Sequence, residues 1–291
     1  MIILDYSSVA VSNIFAQHAN EEMSEPLLRH MILNTLRMYH TKFKSQYGKF
    51  YIACDHASWR KQYFSHYKAN RKKARDESSM DWTSIFNWMS AIREEISTHL
   101  PYNVIHVEGA EADDIIATLV HSTQEFGIHN NEPVMIVSAD KDFLQLQQYG
   151  NVKQFSSLLK KELKESDPRR YLFEHIVRGD GGDGVPNIFS DDDTFIVEDK
   201  RQTPLSKKKL ESLYAGYLSG NIVFEKVEHE RNFHRNQRMI DLSKIPDDVR
   251  NAIMQNITEQ ENKPKPAANQ FMNYLIAKRC NKLLESMSEF F

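Results

Sequence analysis

Three short apolar runs, each followed closely by an aspartate, restrict the fold of this 291-residue chain more than any other feature. The runs cover residues 2–4 before Asp5, residues 51–54 before Asp55, and residues 134–137 shortly before Asp140. Runs of about four aliphatic or β-branched residues, without polar alternation, are typical of strands that are buried on both faces. A fourth run of this kind, residues 104–107, ends before Glu108.

Helical patterns separate these runs. Residues 26–47, 81–100 and 110–126 repeat apolar side chains at helical spacing, and a glycine or proline follows or closes each of them. Strands that alternate with helices predict an α/β fold with a mainly parallel central sheet flanked by helices. Ligands of such sheets bind beyond the carboxyl ends of the strands, so we expect Asp5, Asp55 and Asp140 to converge there.

The chain changes character after about residue 178. Glycines cluster in residues 179–184, acidic residues follow, and helical patterns return at residues 207–217, 247–257 and 269–291. We therefore predict two domains, an α/β domain of residues 1–178 and a smaller, mainly helical C-terminal domain of residues 179–291.

Charge is distributed unevenly, although the formal net charge is only −3. The basic segment, residues 59–75, contains seven Lys or Arg and no Asp or Glu, so the rest of the chain is acidic. A basic segment in an acidic protein suggests a polyanion held near a cation-filled acidic site. A hydrophobic content of 41% argues against a disordered chain, and only Cys54 and Cys280 are available, which is too few for a disulfide framework.

Aromatic residues are interleaved with the cations of the basic segment. On a helix, two neighbouring faces would carry Arg60, Phe64, Lys68, Lys72 and Arg75 on one side, and Trp59, Tyr63 and Tyr67 on the other. Cations follow the phosphates of single-stranded nucleic acid and rings stack on its bases, so this composition predicts nucleic-acid binding. The alternative is an amphipathic surface helix whose aromatic side chains belong to the core.

The acidic residues recur in groups that suit hard divalent cations. Mg²⁺ prefers oxygen ligands, and a two-ion phosphodiesterase site needs a shared set of carboxylates. Without cations, two carboxylates ~5 Å apart repel by roughly 3 kcal/mol at an effective dielectric of ~20. Each group also has an ordinary alternative: Glu111, Asp113 and Asp114 suit a helix N-terminus, Asp140 and Asp142 suit a helix cap, Asp180 and Asp183 suit a turn, and residues 191–193 suit a solvated loop.

Three segments resemble signature motifs of the flap endonuclease/5′-nuclease family. Residues 109–119 are similar to E-A-D-D-x-I-A-x-L, residues 138–146 to S-x-D-x-D-x-x-Q-L, and residues 179–186 to G-D-x-x-D-N-I-P, with Gly184 in place of the usual asparagine. The basic segment, Asp81, Trp82 and residues 151–154 resemble the phage ribonuclease H branch of this family.

The resemblance implies the 5′-nuclease, or PIN-like, fold and a site for two Mg²⁺ ions, for which Mn²⁺ could substitute. By motif, the metal ligands would be Asp5, Asp55, Glu111, Asp113, Asp140, Asp142, Asp180 and Asp183. The catalytic residues would be Asp5, Asp55, Asp113, Asp140 and Asp142, with Lys68 and Arg60 stabilising charge on the scissile phosphate.

The resemblance also implies a basic helical arch near residues 57–80, over the active site. Nucleic acid would contact Arg60, Lys61, Tyr67, Lys68, Arg71, Lys72 and Arg75, with Tyr67 stacking on a base. In many relatives a helix-hairpin-helix follows the third motif and binds a monovalent cation. Residues 187–193 stand there instead, so duplex contact would pass to Lys207, Lys208 and Lys209, which could equally form a solvated helix face.

The last residues resemble a sliding-clamp binding peptide, although Leu284 stands where glutamine is usual. Met287, Phe290 and Phe291 would then contact the clamp. The alternative is a helix end whose aromatic side chains pack into the domain.

The expected function is Mg²⁺-dependent 5′→3′ exonuclease and flap endonuclease activity on RNA–DNA and DNA duplexes, which removes RNA primers from lagging-strand fragments in phage DNA replication. The expected partners are nicked or branched nucleic acid with a 5′ end or flap, a sliding clamp and a single-stranded DNA-binding protein, and no membrane. We expect a monomer in the cytoplasm of the host cell. The alternative is a catalytically inactive, structure-specific DNA-binding protein of the same fold.

Overall fold

The computed structural model describes residues 1–17, 23–71, 75, 77–124 and 132–291, and these residues form two compact units. The sheet unit comprises residues 1–57, 81–164 and 247–291. The helical unit comprises residues 58–80 and 165–246, so it interrupts the sheet unit twice along the sequence.

The sheet unit is built on one six-stranded sheet of described residues with the order β3-β2-β1-β4-β5-β6. The strands are β1 (Ile2–Asp5), β2 (Phe50–Cys54), β3 (Asn103–His106), β4 (Val134–Val137), β5 (Val152–Ser156) and β6 (Lys161–Leu163). Neighbouring strands run parallel except β5 and β6, which are antiparallel. The central strand β1 is buried along its whole length, as a strand covered by helices on both faces must be.

Helices alternate with the strands and continue to the end of the chain. They are α1 (Tyr6–Gln17), α2 (Glu25–Tyr47), α3 (Arg60–Tyr63), α4 (Trp82–His99), α5 (Ala112–Gln124), α6 (Pro168–Arg178), α7 (Lys207–Leu218), α8 (Val227–Ile240), α9 (Asp247–Asn262), α10 (Ala268–Ala277) and α11 (Asn281–Leu284). Short 3₁₀ helices span Lys141–Gln148, Leu242–Lys244 and Met287–Phe290. None of the helices in the described ranges is long and apolar enough to cross a membrane.

The chemistry of the helix ends explains several boundaries. Pro26 lies in the first turn of α2, where its missing N–H costs no hydrogen bond. Gly48 ends α2 with a φ of 75° and donates its N–H to the carbonyl of Lys44. Asp81 begins α4 and accepts from the backbone N–H of Ser84 at 3.1 Å. These caps lie at the ends that the sequence pattern indicates.

The mainly parallel sheet and its flanking helices confirm the predicted fold class, but two local predictions are wrong. The basic segment is not one continuous helix, because α3 ends at Tyr63 and turns follow it. The predicted helix over residues 269–291 is broken into α10, α11 and a 3₁₀ turn. Strands β5 and β6 and helices α1, α6 and α8 had no prediction, and residues 125–126 of a predicted helix lie outside the described residues.

The compact units also differ from the predicted domain boundary at residue 178. Helix α9 packs on β3 and α5, which places the C-terminal helices α9–α11 with the sheet rather than with the helical unit. The basic segment, in turn, belongs to the helical unit, with α6, α7 and α8.

Candidate functional site

Three predicted acids follow adjacent strands at the carboxyl edge of the sheet. Asp5 is the last residue of β1, Asp55 follows β2, and Asp140 lies just beyond β4. Strand β1 pairs with β2 on one side and with β4 on the other, so the strand connections change direction between β1 and β4. A change of this kind opens a crevice at the carboxyl edge, and this is where parallel sheets bind their ligands.

Asp5 lies deepest in this cluster. Its Oδ1 accepts from the backbone N–H of Ser8 at 2.9 Å, and its Oδ2 accepts from the hydroxyl of Ser138 at 2.8 Å. Burial, reinforced by the nearby charges of Asp55 and Asp140, raises the pKa of Asp5 to about 7. The two hydrogen bonds favour the charged form but do not offset these effects.

The Asp140 loop is fixed by Ser138 and Gln154, two residues of the quoted motifs to which the sequence alone gave no role. The backbone N–H of Asp140 donates to the Ser138 hydroxyl at 3.1 Å, and the Oδ1 of Asp140 accepts from the N–H of Asp142 at 2.9 Å. The fully buried Gln154 of β5 donates from its amide to the carbonyls of Ser138 and Asp140. Because its side-chain amide donates to two carbonyls of the loop, this buried glutamine holds the loop backbone in place.

The first turn of α5 divides its acids between two roles. Asp114 is fully buried, and its Oδ2 accepts from the backbone N–H of Glu111 at 2.9 Å, so it caps the helix. Asp113 is half-buried, and Glu111 is buried. The Oδ1 of Asp55 accepts from the N–H of Ala112 at 2.8 Å, which ties this helix start to the acid after β2.

The donor chemistry of this cluster fits a hard divalent cation. It offers carboxylate oxygens, which Mg²⁺ and Mn²⁺ prefer, and burial together with the neighbouring acids raises the pKa of one of these carboxylates, that of Asp5, to about 7. A divalent cation would offset the repulsion between Asp5, Asp55 and Asp140, which adds to the effect of burial on this pKa. The residues of the sheet unit that could hold it are Asp5, Asp55, Glu111, Asp113, Asp140 and Asp142.

The other two predicted ligands lie in the helical unit, in the glycine-rich loop, residues 179–185. Asp180 is half-buried, and its Oδ1 accepts from the N–H groups of Gly182 at 2.8 Å and Asp183 at 3.3 Å. Its Oδ2 lies 3.9 Å from the Nε2 of His175. Asp183 is buried, and both of its carboxylate oxygens contact side chains of the basic segment.

Within the basic segment, two side chains do not lie where the expected roles need them. Arg60 is 2% exposed, and its Nε donates to the carbonyl of Met239 at 2.9 Å, so its guanidinium is packed inside the helical unit. Tyr67 is 2% exposed, and its hydroxyl donates to Asp183 at 2.9 Å, so its ring is not available to stack on a base. The local fold explains both, since a short helix and a turn direct these side chains inward.

The other cations of the basic segment are more accessible. Lys68 is half-buried and lies 3.5 Å from Asp183, while Arg71 is exposed and also pairs with Asp183. Lys61 and Arg75 are exposed. Lys72, which was expected to bind nucleic acid, lies outside the described residues.

The three lysines predicted to contact duplex open helix α7. Lys207 and Lys208 are exposed, and Lys209 is half-buried, with its ammonium 3.0 Å from Glu225 and 4.0 Å from the ring centre of Phe189. Cations in a first helical turn face the positive end of the helix dipole, which makes this an unusual place for three of them.

The acids of residues 191–193 lie in a solvent-accessible loop, as predicted, and they also form ion pairs with cations of the chain. Lys200 bridges Asp191 and Asp193 at 2.9 and 2.5 Å. Asp192 accepts from Arg231 at 3.0 Å and also from Arg235. These acids are therefore neutralised by cations of the chain itself.

The C-terminal residues are packed into the sheet unit, which contradicts the role expected for Phe290. Phe290 is fully buried, and its ring centre lies 4.8 Å from that of Phe271. The carbonyl of Glu289 lies 2.8 Å from the Nδ1 of His40. Met287 and Phe291 are half-buried.

Comparison with known proteins identifies the family of the chain. Residues 1–174 match the family model described as the 5′-3′ exonuclease N-terminal resolvase-like domain, and residues 168–290 match the model described as T4 RNase H, C terminal. Ribonuclease H of Enterobacteria phage T4 is 30% identical over 99% of this chain and 95% of its own length. Flap endonuclease Xni of Shewanella sp. (strain MR-4) is 32% identical over 46% of this chain and 49% of its own length.

Solved structures give the same fold. T5 5′-exonuclease with divalent metal ions (zinc) bound is similar with a TM-score of 0.61 and 15% identity, over 89% of this chain and 98% of that chain. A T5 D15 protein co-crystallised with metal ions gives the same TM-score. With the acids of the motifs at the strand ends and family models covering both parts of the sequence, the chain belongs to the 5′-3′ exonuclease family of nucleases, in the branch of phage T4 ribonuclease H.

Proposed function

We propose that the protein is a divalent-cation-dependent 5′→3′ exonuclease and flap endonuclease. The observation that carries the proposal is the convergence of Asp5, Asp55 and Asp140 at the carboxyl edge of the sheet, in a chain related over its length to a phage ribonuclease H. The substrate would be RNA–DNA or DNA duplex with a 5′ end or flap. In the cell the reaction would remove RNA primers from lagging-strand fragments during phage DNA replication, in the host cytoplasm.

The proposed cations are two Mg²⁺ ions, with Mn²⁺ as a substitute. When bound, they supply the Lewis acidity that activates a water molecule for in-line attack and stabilises charge on the departing 3′ oxygen. The proposed ligands are Asp5, Asp55, Glu111, Asp113, Asp140 and Asp142 in the sheet unit, and Asp180 in the helical unit. A carboxylate bed of this kind fits the donor preference of both metals.

The rest of the chain orients these acids. Ser8 and Ser138 donate to Asp5 and hold its carboxylate in one orientation, while Gln154 fixes the backbone of the Asp140 loop. Such support keeps the oxygens in place as charge develops on the phosphate, and catalysis depends strongly on pre-organised geometry.

Phosphate binding is assigned to the accessible cations of the basic segment. We propose that Lys68 stabilises charge on the scissile phosphate, and that Lys61, Arg71 and Arg75 contact the backbone of the strand. Arg60 is not proposed as a phosphate ligand because its guanidinium is buried against Met239. Duplex contact is proposed for Lys207 and Lys208, which are exposed at the start of α7.

The proposed protein partners rest on the resemblance to replication nucleases described above. A sliding clamp and a single-stranded DNA-binding protein are proposed partners during replication, and the chain is proposed to act as a monomer. Phe290 is not proposed as the clamp contact, because its side chain is fully buried against Phe271.

The test is cleavage of a 5′-labelled RNA–DNA strand annealed to its template, with and without a 5′ flap, in Mg²⁺ and in EDTA. We expect short 5′-phosphorylated products in Mg²⁺ and none in EDTA or with Asp140→Asn. Lys164→Gln, at a position distant in sequence from every proposed ligand, serves as a matched control that keeps activity. Tight binding without cleavage in Mg²⁺ or Mn²⁺ would contradict the proposal and favour an inactive DNA-binding protein.

A further inference from the structure

Asp183 differs from the other predicted metal ligands because its carboxylate is already engaged within the helical unit. Its Oδ2 accepts from the Tyr67 hydroxyl at 2.9 Å and lies 3.5 Å from the Lys68 ammonium. Its Oδ1 contacts the guanidinium of Arg71. Asp183 is only 8% exposed, so its contacts with Tyr67 and Lys68 are largely shielded from water, whereas Arg71 is exposed and approaches from the solvent side.

Backbone contacts join the same two segments. The backbone N–H of Lys68 donates to the backbone carbonyl of Asp183 at 2.7 Å. The side-chain amide of Asn70 donates to the backbone carbonyl of Gly181 at 3.0 Å. Lys68 has a φ of 56°, a left-handed conformation that is unfavourable for a non-glycine residue. Such a conformation persists only where the surroundings hold it, and the hydrogen bond from its N–H provides that hold.

Gly184 permits this close approach. It has a φ of 73°, and a Cβ at this position would lie 3.1 Å from the carbonyl oxygen of His66 and 3.5 Å from the Oδ1 of Asn70. The usual residue of the motif at this position is asparagine, which tolerates a positive φ but carries a Cβ. In this chain the replacement by glycine accommodates the backbone of the basic segment.

We propose that Asp183 is a positioning residue that anchors residues 67–71 of the basic segment to the glycine-rich loop. Its carboxylate gathers Lys68 and Arg71 at one point and fixes Tyr67 beneath them. The present arrangement does not fit a metal ligand, because both oxygens are directed at donors of the chain. Asp180 has no such contacts with the basic segment among the bonds described, and it keeps its place among the proposed ligands.

The anchoring is testable without DNA or metal, by amide hydrogen exchange of the metal-free protein. We expect Asp183→Asn to speed exchange at the Lys68 amide at least tenfold, because the loss of the carboxylate contacts lets the two segments separate more often and break the hydrogen bond from this amide to the Asp183 carbonyl. Glu211→Gln is the matched control: it removes an acid that pairs with Arg170 in the same helical unit, and exchange at Lys68 should not change. Exchange at Lys68 that is equal in wild type and Asp183→Asn would overturn the proposal.

A second variant covers the case in which Asp183→Asn does not fold. Arg71→Gln removes one donor from the other side of the contact and leaves the glycine-rich loop intact. We expect it to speed exchange at Lys68 in the same direction, though less, since Tyr67 and the backbone hydrogen bond remain. No change with Arg71→Gln would count against an anchoring role for the carboxylate.

The positioning role of Asp183 rests on the proposed function in one respect, the phosphate-binding role of the basic segment. Metal affinity distinguishes a failure of the positioning role from a failure of the proposed function. Calorimetric titration of the DNA-free protein with Mn²⁺ should give an affinity within threefold of wild type for Asp183→Asn and a loss of at least tenfold for Asp142→Asn. An equal loss in both variants would overturn the positioning role and make Asp183 a ligand. An unchanged affinity for Asp142→Asn would contradict the proposed function instead.

Discussion

The acids of the sheet unit and the cations of the basic segment illustrate two ways of handling charge. At the carboxyl edge of the sheet, like charges are concentrated, and the pKa of Asp5 is raised to about 7. In the basic segment, the cations that face the glycine-rich loop are matched by Asp183, and Arg60 is buried on a carbonyl. The concentrated negative charge of the acids in the sheet unit suits the binding of an external cation. Part of the positive charge of the basic segment is instead neutralised by Asp183, and this pairing stabilises the local conformation.

The difference teaches that charge alone does not identify a binding residue. Seven cations without an acid in residues 59–75 suggest a uniform phosphate-binding surface. The structure separates them into accessible cations, such as Lys61, and cations with structural contacts, such as Arg60. Burial and partners therefore decide which cations are available to a strand.

The largest effect is expected from a pair of neighbouring acids in the first turn of α5. Asp113→Asn should lower cleavage by about 10³-fold with little change in melting temperature, because the side chain is a proposed ligand that is only half-buried. Asp114→Asn should instead lower stability by about 1–3 kcal/mol, because it weakens a buried cap, with most activity retained at a permissive temperature. Cleavage rates and thermal melts of both variants test this, and equal loss of activity in the two would remove the distinction.

The next effect concerns the C-terminal residues, where an aromatic side chain was expected to bind a partner. Phe290→Ala should destabilise the protein by about 3–5 kcal/mol, because it empties a fully buried site against Phe271. Phe291→Ala should cost less, since this residue is half-buried. Denaturant unfolding measures both. A stable Phe290→Ala variant that loses only stimulation by a sliding clamp would restore the original prediction.

A smaller effect is expected from two adjacent cations of the basic segment. Arg60→Met should lower stability by about 1–3 kcal/mol, because the buried carbonyl of Met239 loses a donor. Lys61→Met should leave the free energy of unfolding within about 0.5 kcal/mol of wild type. It should also reduce the slope of log affinity against log salt for strand binding by about one, the amount expected for one lost phosphate contact. The comparison would fail if Lys61→Met proved the more destabilising variant in urea melts.

Much of the sheet and its acids could be predicted because their signals are local. Unbroken apolar runs identified the first four strands, β1–β4, and parallel connectivity then placed Asp5, Asp55 and Asp140 at one edge. The β5–β6 pair was missed because β5 mixes Lys153 and Gln154 with apolar residues and β6 is short and exposed.

The contacts of the basic segment could not be predicted, because they join residues far apart in the sequence. Arg60 meets a carbonyl 179 residues away, and Tyr67 meets a carboxylate 116 residues away. The left-handed Lys68 also breaks the helical pattern that the spacing of cations and rings indicates. Composition predicts a nucleic-acid-binding role for this segment, and only its packing shows which side chains are accessible for that role.

The central claim is that the strand-end acids form a divalent-cation site, in which burial and the neighbouring acids raise the pKa of Asp5 as long as no cation is bound. The most direct measurement is the free energy of unfolding in EDTA between pH 4 and pH 8, for wild type and Asp5→Asn. A folded-state pKa raised from 3.8 to about 7 destabilises the metal-free fold as pH rises through this range, since the unfolded chain releases the proton first.

We predict that wild-type stability falls more steeply than that of Asp5→Asn between pH 4 and pH 7, and that Mg²⁺ restores it at pH 7.5 in wild type but much less in the variant. Parallel pH profiles for the two proteins in EDTA, with equal stabilisation by Mg²⁺, would contradict the account.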